Sequence, residues 1–160
     1  LKKILENSVM NWDPEDPDGA FLQMAGLEVE YDVTKPAGQR VRNVNVRCTK
    51  CVEPHYLGLD EDEVYGLIMN TFLVTGGDGY TMIQEEMIDR QFIGRLATDA
   101  FAEYVAQYSP IMHGLDGRIN FCDEDGCNIE PIQEAEGCGA AAISVSLALL
   151  TCMTVLKALW

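Results

Sequence analysis

The residues best suited to chemistry lie between Asn70 and Tyr80, where an apolar run ends in three glycines around one carboxylate. Glycine has no Cβ, so the backbone of such a loop can turn sharply and approach a ligand closely. Asp78 lies between two of these glycines, and its carboxylate can accept two hydrogen bonds from a diol. Phe72, just before the loop, offers a flat stacking surface. The alternative interpretation is a helix C-cap and turn in which Asp78 is only solvated.

The composition sets limits on what the chain can be. It has 160 residues, a formal net charge of −15 and 48% hydrophobic residues, which corresponds to one acidic domain with a real core. Nucleic acid is not an expected partner, because phosphate binding needs clustered Lys and Arg. The first residues, Leu1–Leu5, lack the long apolar core of a secretory signal, and we expect the chain to be a piece of a longer protein.

The chain has six cysteines, and Cys48 and Cys51 form a CxxC pair. A zinc site would need a second such pair or nearby histidines, whereas His55 and His113 are far apart in the sequence. A thioredoxin-like motif would lie between a strand and a helix, but this pair follows a strand-like run and precedes Pro54. Neither pattern is fully met, and from the residues alone the role of the pair stays open.

Three motifs follow one another along the chain: GAFLQMAG at Gly19–Gly26, CTKC at Cys48–Cys51 and FLVTGGDGY at Phe72–Tyr80. Together they resemble the second domain of the 5'-nucleotidase family, above all that of the animal ecto-5'-nucleotidases and the related secreted apyrases. The resemblance covers roughly Leu1–Phe121. Because the motifs are long and keep their order, they are far more specific than one short motif.

The resemblance implies roles for individual residues, since in that family the second domain binds the nucleoside. Phe21 and Phe72 would sandwich the base, and Asp78 would bind the ribose hydroxyls in the loop that contains Gly76 and Gly77. By composition alone, Phe21 would instead be a core aromatic at the start of a strand.

The resemblance also implies a structural disulfide between Cys48 and Cys51, which needs an oxidising compartment. A metal site at this pair is then a distant second interpretation.

The activity implied by the resemblance belongs to a longer enzyme. That enzyme would hydrolyse nucleoside monophosphates, AMP foremost, with two divalent metals such as zinc held by its first domain. This chain would bind no metal, contribute half of the substrate site and be inactive alone. The alternatives are an apyrase acting on ATP and ADP, and a non-catalytic surface-anchored fragment. We also expect the full-length enzyme to form a homodimer.

The expected fold class is α/β (α+β), a mixed sheet with two main helices, as in a partial 5'-nucleotidase C-terminal domain. A capping pattern that begins at Asp60 predicts a helix through Phe72, which would present the ring directly before the glycine loop. Apolar periodicity and turn residues predict the other elements. They are helices within Leu1–Trp12 and Thr98–Tyr108, and strands at Leu27–Asp32, Arg40–Arg47, Thr81–Ile88 and Gly117–Phe121.

The end of the chain has a different composition. Residues 122–139 are expected to be an acidic linker, since residues 122–127 lack the full ligand spacing of a calcium loop. Residues 140–160 form an apolar tail, with 17 uncharged residues from Ala140 to Leu156. This run is at the short limit for a membrane span and better fits a GPI-attachment signal, with Asp125 as the attachment residue. A short transmembrane anchor is the alternative, and the expected location is the extracellular face of the membrane or the medium.

Overall fold

The computed structural model describes residues 1–16, 18–124 and 126–127. Their centre is a mixed four-stranded sheet in the order β3-β2-β1-β4. Strands β1 and β2 pair antiparallel, β2 and β3 pair antiparallel, and β1 and β4 pair parallel. The strands are β1 Leu27–Asp32, β2 Val41–Arg47, β3 Tyr56–Gly58 and β4 Ile119–Cys122. The expected α/β class with a mixed sheet is confirmed, as are the predicted hairpin and last strand.

The alternation of apolar and acidic residues in β1 gives the sheet one buried face. Leu27, Val29 and Tyr31 are buried, whereas Glu28 and Glu30 between them are only partly so. Helix α1, Lys2–Ser8, packs its apolar residues on this face, so that its Leu5 and the following Val9 belong to one hydrophobic core with the strands. Burial of these side chains is what holds α1 on the sheet.

The remaining helices are α2 Thr71–Val74, α3 Thr81–Glu86 and α4 Ala97–Tyr108. A short 3₁₀ turn, Gly77–Gly79, separates α2 from α3. Helix α4 confirms the helix predicted over Thr98–Tyr108. Within the residues that the structure describes, none of the α4 side chains is buried.

The helix predicted from Asp60 to Phe72 is wrong, because only its last two residues, Thr71 and Phe72 of α2, are helical. The Asp60 carboxylate accepts the backbone N–H of Asp62 at 3.0 Å, which closes a local turn and starts no helix. The apolar residues that follow are largely exposed, with Val64 at 70% and Ile68 at 90%. An amphipathic helix depends on burial of its apolar face, and this stretch has no such burial.

The strand predicted over Thr81–Ile88 is also wrong, since Thr81–Glu86 is helix α3. Its sequence, TMIQEE, contains good helix formers, and Ile83 is its buried residue. Lys3 of α1 forms an ion pair with Glu86 at the end of this helix. Strand β3 was not predicted, because three exposed residues carry no period-2 pattern.

The structure contains a disulfide between Cys48 and Cys51, the pair for which the resemblance implies one. A second disulfide joins Cys122 to Cys127 at the end of β4. None of the helices in the described part of the chain has the length and apolar character needed to cross a membrane. The predicted attachment residue Asp125 and the apolar tail from residue 140 lie outside the described residues.

Candidate functional site

The glycine loop begins where α2 ends. Asn70 caps this short helix, since its Oδ1 accepts the backbone N–H of Leu73 at 2.9 Å. The chain then reverses through Gly76, which has a φ of +83°, and Asp78, which has a φ of +51°. Positive φ is accessible to glycine without strain and is tolerated by Asp better than by most residues. The sequence GGDG therefore suits a backbone that turns out of α2 and directly into α3.

The Phe72 ring lies directly over the loop. A Cβ built on Gly77 would be 2.5 Å from two carbons of this ring, Cε1 and Cζ, so only glycine allows this approach. Phe72 nevertheless remains 55% exposed. The ring is thus held by the loop backbone and is still available to a ligand.

Asp78 is exposed at the tip of the loop, and its backbone is hydrogen-bonded to helix α1. Its carbonyl oxygen accepts a hydrogen bond from Asn7 Nδ2 of α1 at 3.0 Å. The carboxylate therefore projects from a backbone whose position is set by the helix, an arrangement suited to accepting hydrogen bonds from a polar ligand.

Tyr80 connects the loop to the segment that contains Phe21. Its side chain is fully buried, and its hydroxyl donates to the carbonyl oxygen of Ala20 at 2.6 Å. Burial raises the pKa of Tyr80, and hydrogen bonds from Ser8 and Asn7 oppose the rise only in part. The phenol therefore stays protonated at neutral pH and keeps its role as donor.

Phe21 lies at the edge of an aromatic cluster and is partly buried. Its ring centroid is 5.2 Å from that of Trp12, 6.1 Å from Phe121 and 6.4 Å from Tyr31. Phe72 is not among the described rings that contact it. Phe21 therefore has a packing role as well as the binding role implied by the resemblance.

A groove of about 340 Å³ runs between α1 and the glycine loop. Asp78 and Gly79 form one side, and Asp18 and Ala20 from the segment before Phe21 form another. Asp18 Oδ1 accepts the N–H of Ala20 at 3.0 Å, and this bond is the main cause of the lowered pKa of Asp18. The structure thus brings Asp78 and the Phe21 segment to one groove, although they are far apart in sequence.

Three consecutive buried polar residues at the end of α1 were missed by the sequence reasoning, which considered only the apolar face of this helix. They are Glu6, Asn7 and Ser8, with exposures of 9%, 8% and 4%. Each bonds to a different segment. The Glu6 carboxylate accepts the N–H groups of Arg40 and Val41 at 2.9 and 2.8 Å, and Ser8 Oγ accepts the N–H of Leu22 at 2.8 Å.

No pattern in the sequence marks these three residues as buried. Successive residues in a helix are about 100° apart, so three polar residues in a row span about 200° and can all face solvent. Their burial follows only from the tertiary contacts of this helix end with the glycine loop, with Leu22 and with the start of β2.

The described residues include one group whose side chains could approach a metal ion: Glu30, Cys122 and Cys127, with ligand atoms within 4.8 Å of one another. Both sulfurs are joined in a disulfide, which leaves the carboxylate as the one free ligand. These residues do not fit a catalytic metal centre.

Comparison with known proteins agrees with the motifs. The chain is 38% identical over 128 residues to a human 5'-nucleotidase, covering 80% of this chain and 22% of the relative. It is 43% identical over 99 residues to an apyrase from Tabanus yao, covering 62% of this chain and 18% of the relative. The chain thus spans about a fifth of the length of these relatives.

A solved structure of a 5'-nucleotidase precursor from Thermus thermophilus has the same fold. It matches with a TM-score of 0.66 at 36% identity, over 74% of this chain and 22% of that one. The family model described as 5'-nucleotidase, C-terminal domain, matches residues 1–85, more than half of the chain. The chain therefore belongs to the 5'-nucleotidase C-terminal domain family.

Proposed function

We propose that this chain is the nucleoside-binding part of a 5'-nucleotidase that hydrolyses nucleoside monophosphates, AMP foremost, to nucleoside and phosphate. The observation that carries the proposal is the exposed Asp78, with its left-handed backbone, in a loop whose preceding residue, Gly77, packs against the partly exposed Phe72 ring. A carboxylate next to an aromatic face offers complementary partners for a ribose diol and a base.

The two contacts would differ in character. Stacking of a base on an aromatic ring contributes about 1–3 kcal/mol and tolerates different bases. A charge-assisted hydrogen bond to Asp78 contributes about 1.5–3 kcal/mol and reads the sugar hydroxyls. Phe21 would provide the second stacking face, a role that rests on the resemblance, while its ring also packs against Trp12 and Phe121.

Hydrolysis itself would take place on the first domain of the intact enzyme. There, two divalent metals such as zinc would activate water and stabilise the leaving oxygen. This chain would position the nucleoside so that the phosphate reaches that centre, and the chain alone would be inactive. We also propose that the intact enzyme is a homodimer, which light scattering of the purified protein tests.

The test of the nucleoside site is Asp78→Asn in the intact protein that carries this chain. We expect KM for AMP to rise at least about fivefold with little change in kcat, because the contact is made before and during the chemical step. Asp99→Asn, which removes the same charge from exposed helix α4, is the matched control and should leave both constants unchanged. An unchanged KM in Asp78→Asn would remove Asp78 from the site.

An apyrase acting on ATP and ADP is the second candidate, favoured by the 43% identity to the Tabanus yao protein. Base and ribose are common to all these substrates, so the site described above does not separate them. Phosphate release by the intact protein from AMP, ADP and ATP decides between the two. Release from none of the three would favour the non-catalytic surface protein.

We further propose that the mature protein acts outside the cell, held on the membrane by a GPI anchor that replaces the apolar tail from residue 140. The proposal rests on the 17 uncharged residues of that tail and the small residues and polar spacer before it. Asp125 is the predicted attachment residue, but cleavage after it would also remove Cys127 and with it the Cys122–Cys127 disulfide. We therefore place the attachment on a small residue between Cys127 and Gly139. Release of the cell-surface protein by phosphatidylinositol-specific phospholipase supports the anchor, and retention with a detectable epitope after Leu156 would contradict it.

A further inference from the structure

We propose that Asn7 and Ser8 are positioning residues that hold Asp78 and Phe21 at the separation a nucleoside needs. This inference rests on the proposed function and adds two residues to it. Ser8 is not among the residues that line the groove beside Asp78, whereas Asn7 is. Each of the two side chains binds the backbone of one of the two segments that would contact the substrate.

Asn7 fixes the glycine loop. Its Nδ2 donates to the carbonyl oxygen of Asp78 at 3.0 Å, and its side chain is buried at 8% exposure. The same side chain packs against the next residue of the loop, since a Cβ on Gly79 would be 3.2 Å from Asn7 Oδ1. This bond holds a non-glycine residue in the left-handed region, a conformation that needs support from its surroundings.

Ser8 fixes the Phe21 segment in the same way. Its Oγ accepts the backbone N–H of Leu22, the residue after Phe21, at 2.8 Å. Ser8 is 4% exposed, so this bond is shielded from water. Loss of the hydroxyl would leave the Leu22 N–H without its acceptor.

Adjacent positions on one helix turn therefore hold two distant segments. The Cα atoms of consecutive residues are about 3.8 Å apart, so the spacing of the two segments is set by a short and rigid piece of backbone. The Tyr80 hydroxyl bonds to Ala20 and ties the same two segments together a second time. Glu6 anchors the helix itself to the backbone at the start of β2, which keeps this support fixed to the sheet.

The two residues should have different kinetic signatures. Asn7 acts through Asp78, so its loss should weaken recognition of the sugar hydroxyls. Ser8 acts through Phe21, so its loss should weaken binding of the base, whatever the sugar. Comparison of AMP with 2'-deoxy-AMP separates the two effects, because the deoxy substrate lacks one of the hydroxyls that Asp78 would bind.

The experiment measures kcat and KM for both nucleotides in the intact protein. For Asn7→Ala we expect KM for AMP to rise about three- to tenfold with kcat within about twofold, and the preference for AMP over 2'-deoxy-AMP to fall at least about threefold. For Ser8→Ala we expect KM to rise about equally for both nucleotides, with the preference unchanged. Asn7→Leu, which keeps the side-chain volume without the N–H donor, should reproduce Asn7→Ala.

Glu6→Gln is the matched control, because it perturbs the adjacent buried residue of the same helix at a contact with β2. It should lower the unfolding temperature and leave the preference between the two nucleotides unchanged. A preference that falls equally in Glu6→Gln and Asn7→Ala would overturn the proposal, since it would reflect general loosening of the domain. Failure of both Asn7 variants to fold would overturn it as well, because Asn7 would then serve stability alone.

Asp78→Asn separates this inference from the function on which it rests. If Asp78→Asn leaves KM for AMP unchanged, the proposed nucleoside site is wrong. If Asp78→Asn raises KM while Asn7→Ala and Asn7→Leu leave KM and the sugar preference unchanged, the site stands and only the positioning role fails.

Discussion

The Phe72 ring and Gly77 are in contact so close that a single methyl group on the glycine would lie 2.5 Å from the ring. Normal contact between carbon atoms is about 3.5–4.0 Å, so any side chain at this position must displace the ring or the loop. The Phe72 ring can therefore occupy this position only because residue 77 is glycine, and the two residues form one structural unit.

Gly77→Ala should raise KM for AMP about fivefold or more in the intact protein, because displacement of the ring forfeits part of a stacking contact of about 1–3 kcal/mol. Gly66→Ala is the control, since a Cβ at Gly66 meets no atom within 4 Å, and it should behave like wild type. A double variant with Phe72→Ala extends the test. If the unit described here is real, the two effects are far from additive; full additivity would show that Gly77 acts independently of the ring.

Replacement of the two predicted stacking residues, Phe21 and Phe72, should change the free energy of unfolding by different amounts. Phe21→Ala removes a partly buried ring from a cluster with Trp12 and Phe121 and should cost about 2–4 kcal/mol in the free energy of unfolding. Phe72→Ala removes a ring that is 55% exposed and should change that free energy by less than about 1 kcal/mol. Both should raise KM for AMP. Denaturant unfolding of both variants checks the difference, and an equal loss of stability would contradict it.

Tyr80→Phe should cost about 0.5–1.5 kcal/mol at neutral pH, because it removes the hydrogen bond to the Ala20 carbonyl. Burial raises the pKa of Tyr80 above its ordinary value of 10.0. The stability linked to the protonated phenol is therefore fully present below about pH 10 and is lost as the pH rises through the pKa of the folded state.

The measurement is denaturant unfolding of wild type and Tyr80→Phe at pH 7, 9 and above 10. The stability difference between the two proteins should be constant up to about pH 10 and shrink above it. Because the other tyrosines are present in both proteins, the difference isolates Tyr80. A difference that grows with pH would show that the assigned direction of the pKa shift is wrong.

Removal of the disulfide by the paired substitutions Cys48→Ser and Cys51→Ser should cost roughly 2 kcal/mol, since a loop of a few residues restricts the unfolded chain only modestly. The backbone bond from Cys48 N–H to the His55 carbonyl, 2.8 Å long, can still hold the turn. KM for AMP should stay unchanged, because neither cysteine is among the residues that line the groove beside Asp78. A marked rise in KM would make this turn part of the substrate site.

Much of this molecule could be predicted from its sequence. The apolar and acidic residues of Leu27–Asp32 alternate, and Val41–Arg47 is rich in valine. Both are local patterns typical of strands with one buried face, so the hairpin could be recognised from the sequence. The 3.6-residue period of Ala97–Tyr108 is equally local. The glycines around Asp78 predicted a loop with unusual backbone angles, because few other residues tolerate positive φ.

The tertiary structure decided what local patterns leave open. Residues 60–70 have a cap and an apolar period but no surface on which to bury it, so they do not form the predicted helix. Residues 81–86 become a helix because the glycine loop turns the chain and Ile83 is then buried. Asn7 and Ser8 carry no motif in the sequence, and their role depends on loops distant in the chain. A buried hydrogen bond between distant residues has no sequence period, since its partners meet only after the helix and the sheet have packed.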